Sequence, residues 1–191
     1  IHEHWALEPE LLKTYARHYR TGEVIPDSLI EKLAAASTHN QGFMTTELVG
    51  AALLDLQYGH LNPTDSIDVE AFERQVASEL NMPAEVQFRY RSPYFRHIFG
   101  SDGYASGYYT YLWAEVLDCD GFELFKERGI FDPATAAAFK ANVLETGGSA
   151  DPMDLYVKFR GHEPNVGALL RHRGLDPVQP DKPDMKTPGG K

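Results

Sequence analysis

The chain has 191 residues and 21.4 kDa, with 18 basic residues against 28 acidic ones and a formal net charge of -10. At 42% hydrophobic and 24% charged it reads as one globular domain with a sizeable core, which excludes disorder along the whole chain. No run reaches the ~18 uncharged apolar residues of a membrane span, a pI of about 5.2 speaks against a nucleic-acid backbone binder, and the lone Cys119 excludes a disulfide framework and a thiolate zinc cluster.

In chain order the pattern is helix after helix. Over residues 3–19, Leu11, Leu12, Tyr15, Ala16 and Tyr19 follow a 3.6-residue period, and Pro9 splits the stretch into a first turn and a helix that it starts. Gly22 and Pro26 mark a loop, and Asp27-Ser28 opens a helix to about residue 36. A helix from Thr45 or Thr46 to residue 58 is apolar on most faces through Leu48, Val49, Leu53, Leu54 and Leu56, which predicts deep burial. Residues 62–65 read as a loop and 68–80 as an amphipathic helix with Val69, Phe72, Val76 and Leu80 inward. Over 81–102 the period is lost, Pro83 and Pro93 interrupt, and aromatic residues cluster with Arg89, Arg91 and Arg96. A long ordered loop of this kind tends to carry function. Helices are predicted over 104–118, 120–128 and 133–145, the last through Asp132 as N-cap with Pro133 behind it. Asp151 starts 152–159 in the same way, and 164–172 ends at Gly174. From residue 176 the chain is rich in Pro, Lys and Gly and lacks apolar anchors, which predicts a disordered tail over 176–191. The predicted class is mainly α, with no internal repeat and no strand pair.

The chemistry-bearing residues each have a plainer reading beside the functional one. The eight histidines include no pair at the H-E-x-x-H spacing that sets two imidazoles on one helical face around zinc, and His2-Glu3-His4 is too tight for it. Cys119 lies between Asp118 and Asp120, whose charges raise a thiol pKa, so an inert cysteine at a helix end is expected. Tyr104, Tyr108 and Tyr111 are spaced i, i+4, i+7, which aligns three phenols on one helix face, with Gly100, Gly103 and Gly107 allowing sharp turns nearby. Such phenols can donate to a developing oxyanion; an aromatic core stripe is the plainer reading, and the spacing alone favours it. Arg89 and Arg91 can take a carboxylate bidentately, although pairing with acidic surface residues is the commoner use of arginine.

The segments Tyr15-Ala16-Arg17-His18-Tyr19, Ala51-Ala52-Leu53-Leu54-Asp55, Arg89-Tyr90-Arg91-Ser92, Tyr94-Phe95-Arg96-His97-Ile98-Phe99, Gly147-Gly148-Ser149 and His172-Arg173-Gly174-Leu175 carry a resemblance. So does the run from Gly103-Tyr104-Ala105 to Tyr111-Leu112-Trp113. Together they make residues 1–175 similar to the C-terminal part of the thimet-oligopeptidase family of zinc metallopeptidases, and most like its bacterial peptidyl-dipeptidase (dipeptidyl carboxypeptidase) branch. The resemblance implies the helical C-terminal part of a zincin-like peptidase catalytic domain, with a long Gly/aromatic loop facing a substrate channel. In that family zinc is held by two histidines and a glutamate upstream of the segment matched by Glu3-His4-Trp5. The chain is therefore expected to begin just past the third ligand, to hold no metal ligand, to bind no zinc and to lack the general base.

What carries over is the facing wall. Tyr104 and Tyr111 would stabilise the oxyanion, Tyr108 and His97 would bind substrate, and Gly100 and Gly103 would let the loop close on it. Arg89 or Arg91 would take a free C-terminal carboxylate. The expectation is part of an enzyme that hydrolyses short peptides, releasing C-terminal dipeptides, with this chain inactive alone. A stand-alone, non-catalytic peptide-binding helical module is the alternative, and a helical bundle without a ligand is a third reading. Short peptides are the expected partners, nucleic acid and membrane are not, and a surface left bare by truncation would favour association. The bacterial cytoplasm or periplasm is the expected compartment.

Overall fold

A computed structural model describes residues 1–62, 64 and 66–176. The predicted tail at 177–191, and residues 63 and 65 of the predicted loop, lie outside the described residues. Among those described, extended pairing is limited to one antiparallel bridge between Arg17 and Val24.

Glu8, extended between α1 (His2–Leu7) and α2 (Pro9–Tyr15), divides the first helical stretch where Pro9 predicts it. The helix then stops at Tyr15 rather than Tyr19. Ala16 turns extended, and Ile25 N–H donates to the Ala16 carbonyl (2.9 Å) across a reversal that uses Gly22 at φ 74°. Helix α3 (Asp27–Ser37) leads through Asn40, at φ 57°, directly into α4 (Gln41–Gly59), which therefore starts at Gln41 and not at Thr45. The deep burial predicted for α4 holds for Ala51, Ala52, Leu54 and Asp55, whereas Leu48, Val49, Leu53 and Leu56 are half-buried. Asp68 caps α5 (Val69–Glu79) by accepting from the Glu70 and Ala71 amides.

The aperiodic stretch after α5 is a series of tight turns. A 3₁₀ turn over Ser92–Tyr94, the single-turn helix α6 (Arg96–Phe99) and a second 3₁₀ turn over Asp102–Tyr104 lead to α7 (Thr110–Arg128). Two expectations are corrected here. The helix predicted from residue 104 begins at Thr110, and the break predicted at Cys119-Asp120 does not exist. Asp118 and Asp120 sit mid-helix because distant groups satisfy their carboxylates. His4 Nε2 lies 3.0 Å from Asp118, and the Tyr156 hydroxyl donates to Asp120 at 2.6 Å. A polar doublet that looks like a boundary is a seam on which other elements dock.

Helix α8 (Pro133–Phe139) is capped by Asp132, which accepts from the Thr135 amide and hydroxyl, and it runs on as a π-helical turn over Lys140–Leu144. Asp151 caps α9 (Pro152–Arg160), and α10 (Gly167–His172) closes at Gly174, φ 64°.

Helix α7 is the axis of the packing. Near its start Leu112 packs against Ala51, Ala52, Phe95, Ile98 and Tyr108. Its middle sets Val116 and Cys119 against Ala168 and Leu169 of α10. Its far half sets Phe122, Leu124 and Phe125 against Phe139 and Phe159, and this cluster is completed by Trp5 of α1, whose indole N–H donates to the Ile130 carbonyl at 2.9 Å. Among the described residues no helix is long and apolar enough to cross a membrane.

Candidate functional site

Two buried carboxylates tie down the loop between α5 and α7. Glu73, on the inner stripe of α5 with Val69 and Val76, accepts from the Ser92 amide at 2.6 Å and from Arg91 Nε at 2.7 Å. The Tyr58 hydroxyl donates to Ser92 Oγ at 2.6 Å. Burial alone would raise the Glu73 carboxyl, but its bonds to Ser92 and the Arg91 guanidinium outweigh this and hold it below the usual glutamate range. At the far end Asp55 of α4, 1% exposed, accepts from the amides of Ser106 and Tyr108, both at 2.9 Å. One turn further along α4, Gly59 leaves room for the loop: a Cβ there would lie 2.2 Å from Ser106 Oγ.

Sequence reasoning singled out neither carboxylate as functional. A signal was present in each case: Asp55 is the one acidic residue in an apolar run, and Glu73 falls on the apolar stripe of α5.

Pinned in this way, the loop gathers an aromatic constellation. The His97 ring stacks on Tyr104 at 5.1 Å, meets Tyr108 edge-on at 5.3 Å and faces Tyr111 at 5.6 Å. The Tyr111 hydroxyl lies 3.4 Å from His97 Nε2. The three tyrosines converge, yet not by sharing one helix face as predicted. Tyr104 stands in a 3₁₀ turn, Tyr108 in the turn before α7, and Tyr111 in the first turn of α7. Their exposures differ accordingly: 62% for Tyr104, 52% for Tyr111 and 6% for Tyr108. Burial, reinforced by Tyr90, pushes the Tyr108 hydroxyl up to about 12, so it stays protonated and able to donate near neutral pH.

His97, Tyr108 and Tyr111 border a pocket of about 420 Å³ lined also by Leu48, Arg89, Tyr90 and Glu115, while Tyr104 lines a second cavity of about 430 Å³ with Arg96, His97, Gly100 and Ser101. Arg173, only 7% exposed, grips Glu115 through Nε (2.9 Å) and Nη2 and donates to Thr45 Oγ1 at 2.7 Å, fixing that wall to α4. The two arginines singled out in the sequence part company. Arg91 is committed to Glu73 and Glu70 and does not line this pocket, which is the plainer use of an arginine. Arg89 lies over the Tyr90 ring at 5.8 Å, lines the pocket and forms no ion pair among the described residues.

The glycines also divide. A Cβ at Gly100 would come within 2.7 Å of the Arg96 carbonyl, whereas one at Gly103 would meet only Ser101 Oγ at 3.7 Å. The left-handed positions in this loop belong to Asn81 near its start, φ 50°, and to Ser106, φ 56°, and not to its glycines.

One group of potential metal donors forms among the described residues: His4, Asp118 and Cys119. It does not fit a zinc centre. Asp118 already engages His4 and the Ile1 nitrogen (2.7 Å), which uses two of the three donors on each other, and in the unliganded chain burial, with Asp118 and Glu115 nearby, pushes the Cys119 thiol up to about 12. Cys119 is thus inert as expected, although it sits mid-helix and not at a helix end.

The profile of peptidase family M3 matches residues 1–175. A dipeptidyl carboxypeptidase of Salmonella typhimurium is 45% identical over 179 residues, which is 92% of this chain and 26% of that protein. The dipeptidyl carboxypeptidase of Escherichia coli is 42% identical over the same shares, and oligopeptidase A of Escherichia coli is 37% identical over 91% of this chain and 25% of its own length. The chain spans about a quarter of the length of the curated relatives it matches.

Proposed function

The chain belongs to peptidase family M3, and from that premise we propose that it forms the substrate-binding and oxyanion-stabilising wall of a zinc metallopeptidase that releases dipeptides from the C-termini of short peptides. The observation that carries this reading is the convergence of Tyr104, Tyr108 and Tyr111 on His97 beside an open pocket. When a scissile carbonyl becomes tetrahedral its oxygen gains negative charge. Exposed phenols already in place can donate to it without reorganising. Tyr111 and Tyr104 take that part. Tyr108 donates to substrate backbone and His97 lines the same surface. In this reading the metal ligands and the general base come from residues outside this chain, and the His4, Asp118 and Cys119 group among the described residues is not the catalytic metal site.

Arg89 is the carboxylate receptor in this reading, because it borders the pocket while Arg91 is spent on Glu73. In the full-length enzyme, Arg89→Ala should raise KM for peptides with a free C-terminus by about 10–100-fold, the loss of one charge-assisted bidentate contact. C-amidated analogues should be little affected, and Arg91→Ala should not reproduce the selectivity. Steady-state kinetics on matched free-acid and amide substrates measures this; an equal rise on both would remove Arg89 from the role.

The 191-residue chain alone should hydrolyse no peptide and hold no stoichiometric zinc. Elemental analysis of the dialysed chain, alongside a peptide-cleavage assay, tests both statements. Tight zinc at one per chain would overturn the assignment of the ligands to residues elsewhere.

A further inference from the structure

We infer that Asp55 is a positioning residue for two of the pocket tyrosines: its buried carboxylate clamps the turn over residues 105–109 to α4 and so sets the point from which Tyr108 and Tyr111, the latter an oxyanion donor, enter the pocket. The inference rests on the reading of Tyr111 as an oxyanion donor.

Each Asp55 oxygen is used once: Oδ1 takes the Ser106 amide and Oδ2 the Tyr108 amide, both at 2.9 Å. The carboxylate is 1% exposed, and among the described residues no cation forms an ion pair with it. A buried anion held only by two amides is costly unless the fold needs two acceptors side by side. Here it does, because between those two donors Ser106 is held at φ 56°, a left-handed conformation that an L-residue keeps only when its surroundings impose it. Gly59 supplies the complementary shape, since a Cβ there would lie 2.2 Å from Ser106 Oγ.

The clamp acts on the phenols directly. Tyr108 is held by its own amide, and its ring packs on Phe95 (5.0 Å), His97 (5.3 Å) and Tyr111 (5.2 Å). Tyr111 follows within one turn, in the first turn of α7. A displacement of about 1 Å in such a donor is enough to cost on the order of 10²-fold in rate. Asparagine at position 55 keeps the shape but sets an NH₂ group against one of the two amide donors, so one bond is lost and that side is pushed away.

The test is Asp55→Asn in the full-length enzyme, read by kinetics and by amide hydrogen exchange. The expected result is a kcat lower by about 10–100-fold with KM within about threefold of wild type. Exchange should speed up by at least about tenfold at Ser106 and Tyr108 while the interiors of α4 and α7 keep their protection. A purely structural anchor would not show the next result: in a Tyr111→Phe background, Asp55→Asn should add less than about threefold, because the group it positions is already gone. Multiplicative losses in the double variant, a wild-type kcat for Asp55→Asn, or loss of protection throughout α4 and α7 would each overturn the inference. If Tyr111→Phe itself leaves kcat unchanged, the proposed function is what fails, and the exchange result at Ser106 and Tyr108 still reports on the clamp. Should Asp55→Asn not fold, Gly59→Ala crowds the same turn from outside the carboxylate and should lower kcat with KM retained. In the wild type, exchange of the Ser106 and Tyr108 amides at unprotected-loop rates would overturn the clamp without any variant.

Discussion

Replacing Tyr111 by phenylalanine in the full-length enzyme should lower kcat by about 10²–10³-fold, the ~2.7–4 kcal/mol that one oxyanion donor contributes, while KM stays near its original value. The split follows from when the phenol acts. A ground-state carbonyl gains little from it; the tetrahedral oxygen gains a preplaced, charge-assisted hydrogen bond. Tyr111 suits that part because it is half open to the pocket yet held on its buried side by the His97 and Tyr108 rings. Phenylalanine keeps this packing, so stability should hardly move. Tyr104→Phe should lower kcat less, since Tyr104 stands on a short 3₁₀ turn and is 62% exposed, with less to fix its hydroxyl. Single-turnover rates with matched substrates separate these effects from product release. A Tyr111→Phe enzyme with near-normal kcat would remove Tyr111 from the chemistry.

The second large effect lies far from the pocket and concerns stability. Asp120→Ala should destabilise the chain by about 3–5 kcal/mol, lowering Tm by about 6–20 °C at 2–4 °C per kcal/mol. Asp120 is 1% exposed and joins four partners: the Tyr156 hydroxyl at 2.6 Å, Asn165 Nδ2 at 3.3 Å, Arg160 Nε at 3.6 Å and His162 Nδ1 at 4.0 Å. Removing the carboxylate orphans the Tyr156 hydroxyl and leaves the Arg160 side chain, 8% exposed, with Glu127 alone. Asp120→Asn keeps one acceptor oxygen and should cost about 1–3 kcal/mol. Urea denaturation measures both. A loss below ~1 kcal/mol for the alanine variant would show that water enters and replaces the network.

The reach of sequence reasoning follows the range of the forces involved. Asp132-Pro133 and Asp151-Pro152 announce α8 and α9 because capping is local: the carboxylate, the amides it accepts from and the proline all lie within one turn. The mainly helical class was likewise readable; of the pocket lining, Arg89, His97, Tyr108 and Tyr111 were singled out in the sequence, and Leu48, Tyr90 and Glu115 were not. What failed was every inference that depended on a remote partner. Asp118 and Asp120 look like a helix end until His4 and Tyr156 arrive from positions 114 and 36 residues away. The spacing of Tyr104, Tyr108 and Tyr111 suits a helix, but Asp55, 53 residues before Tyr108, captures the amides of the intervening turn and delays α7 to Thr110. Arg89 and Arg91 cannot be told apart by type; only the packing of α5 assigns Glu73 to one of them.

The docking of α1 on α7 also has a consequence in time. His4 meets Asp118 across 114 positions, and Trp5 meets the Ile130 carbonyl across 125. A ribosome adding 5–20 residues per second needs roughly 6–25 s to make the second partner after the first. Through most of that interval Trp5 has no Phe122 or Phe125 to cover it, and α1 buries no residue of its own. Until then the segment lacks the ring partners that this chain supplies. The aromatic half of α7 is the first of its distant partners to be made, and Ile130, Phe139 and His172 follow.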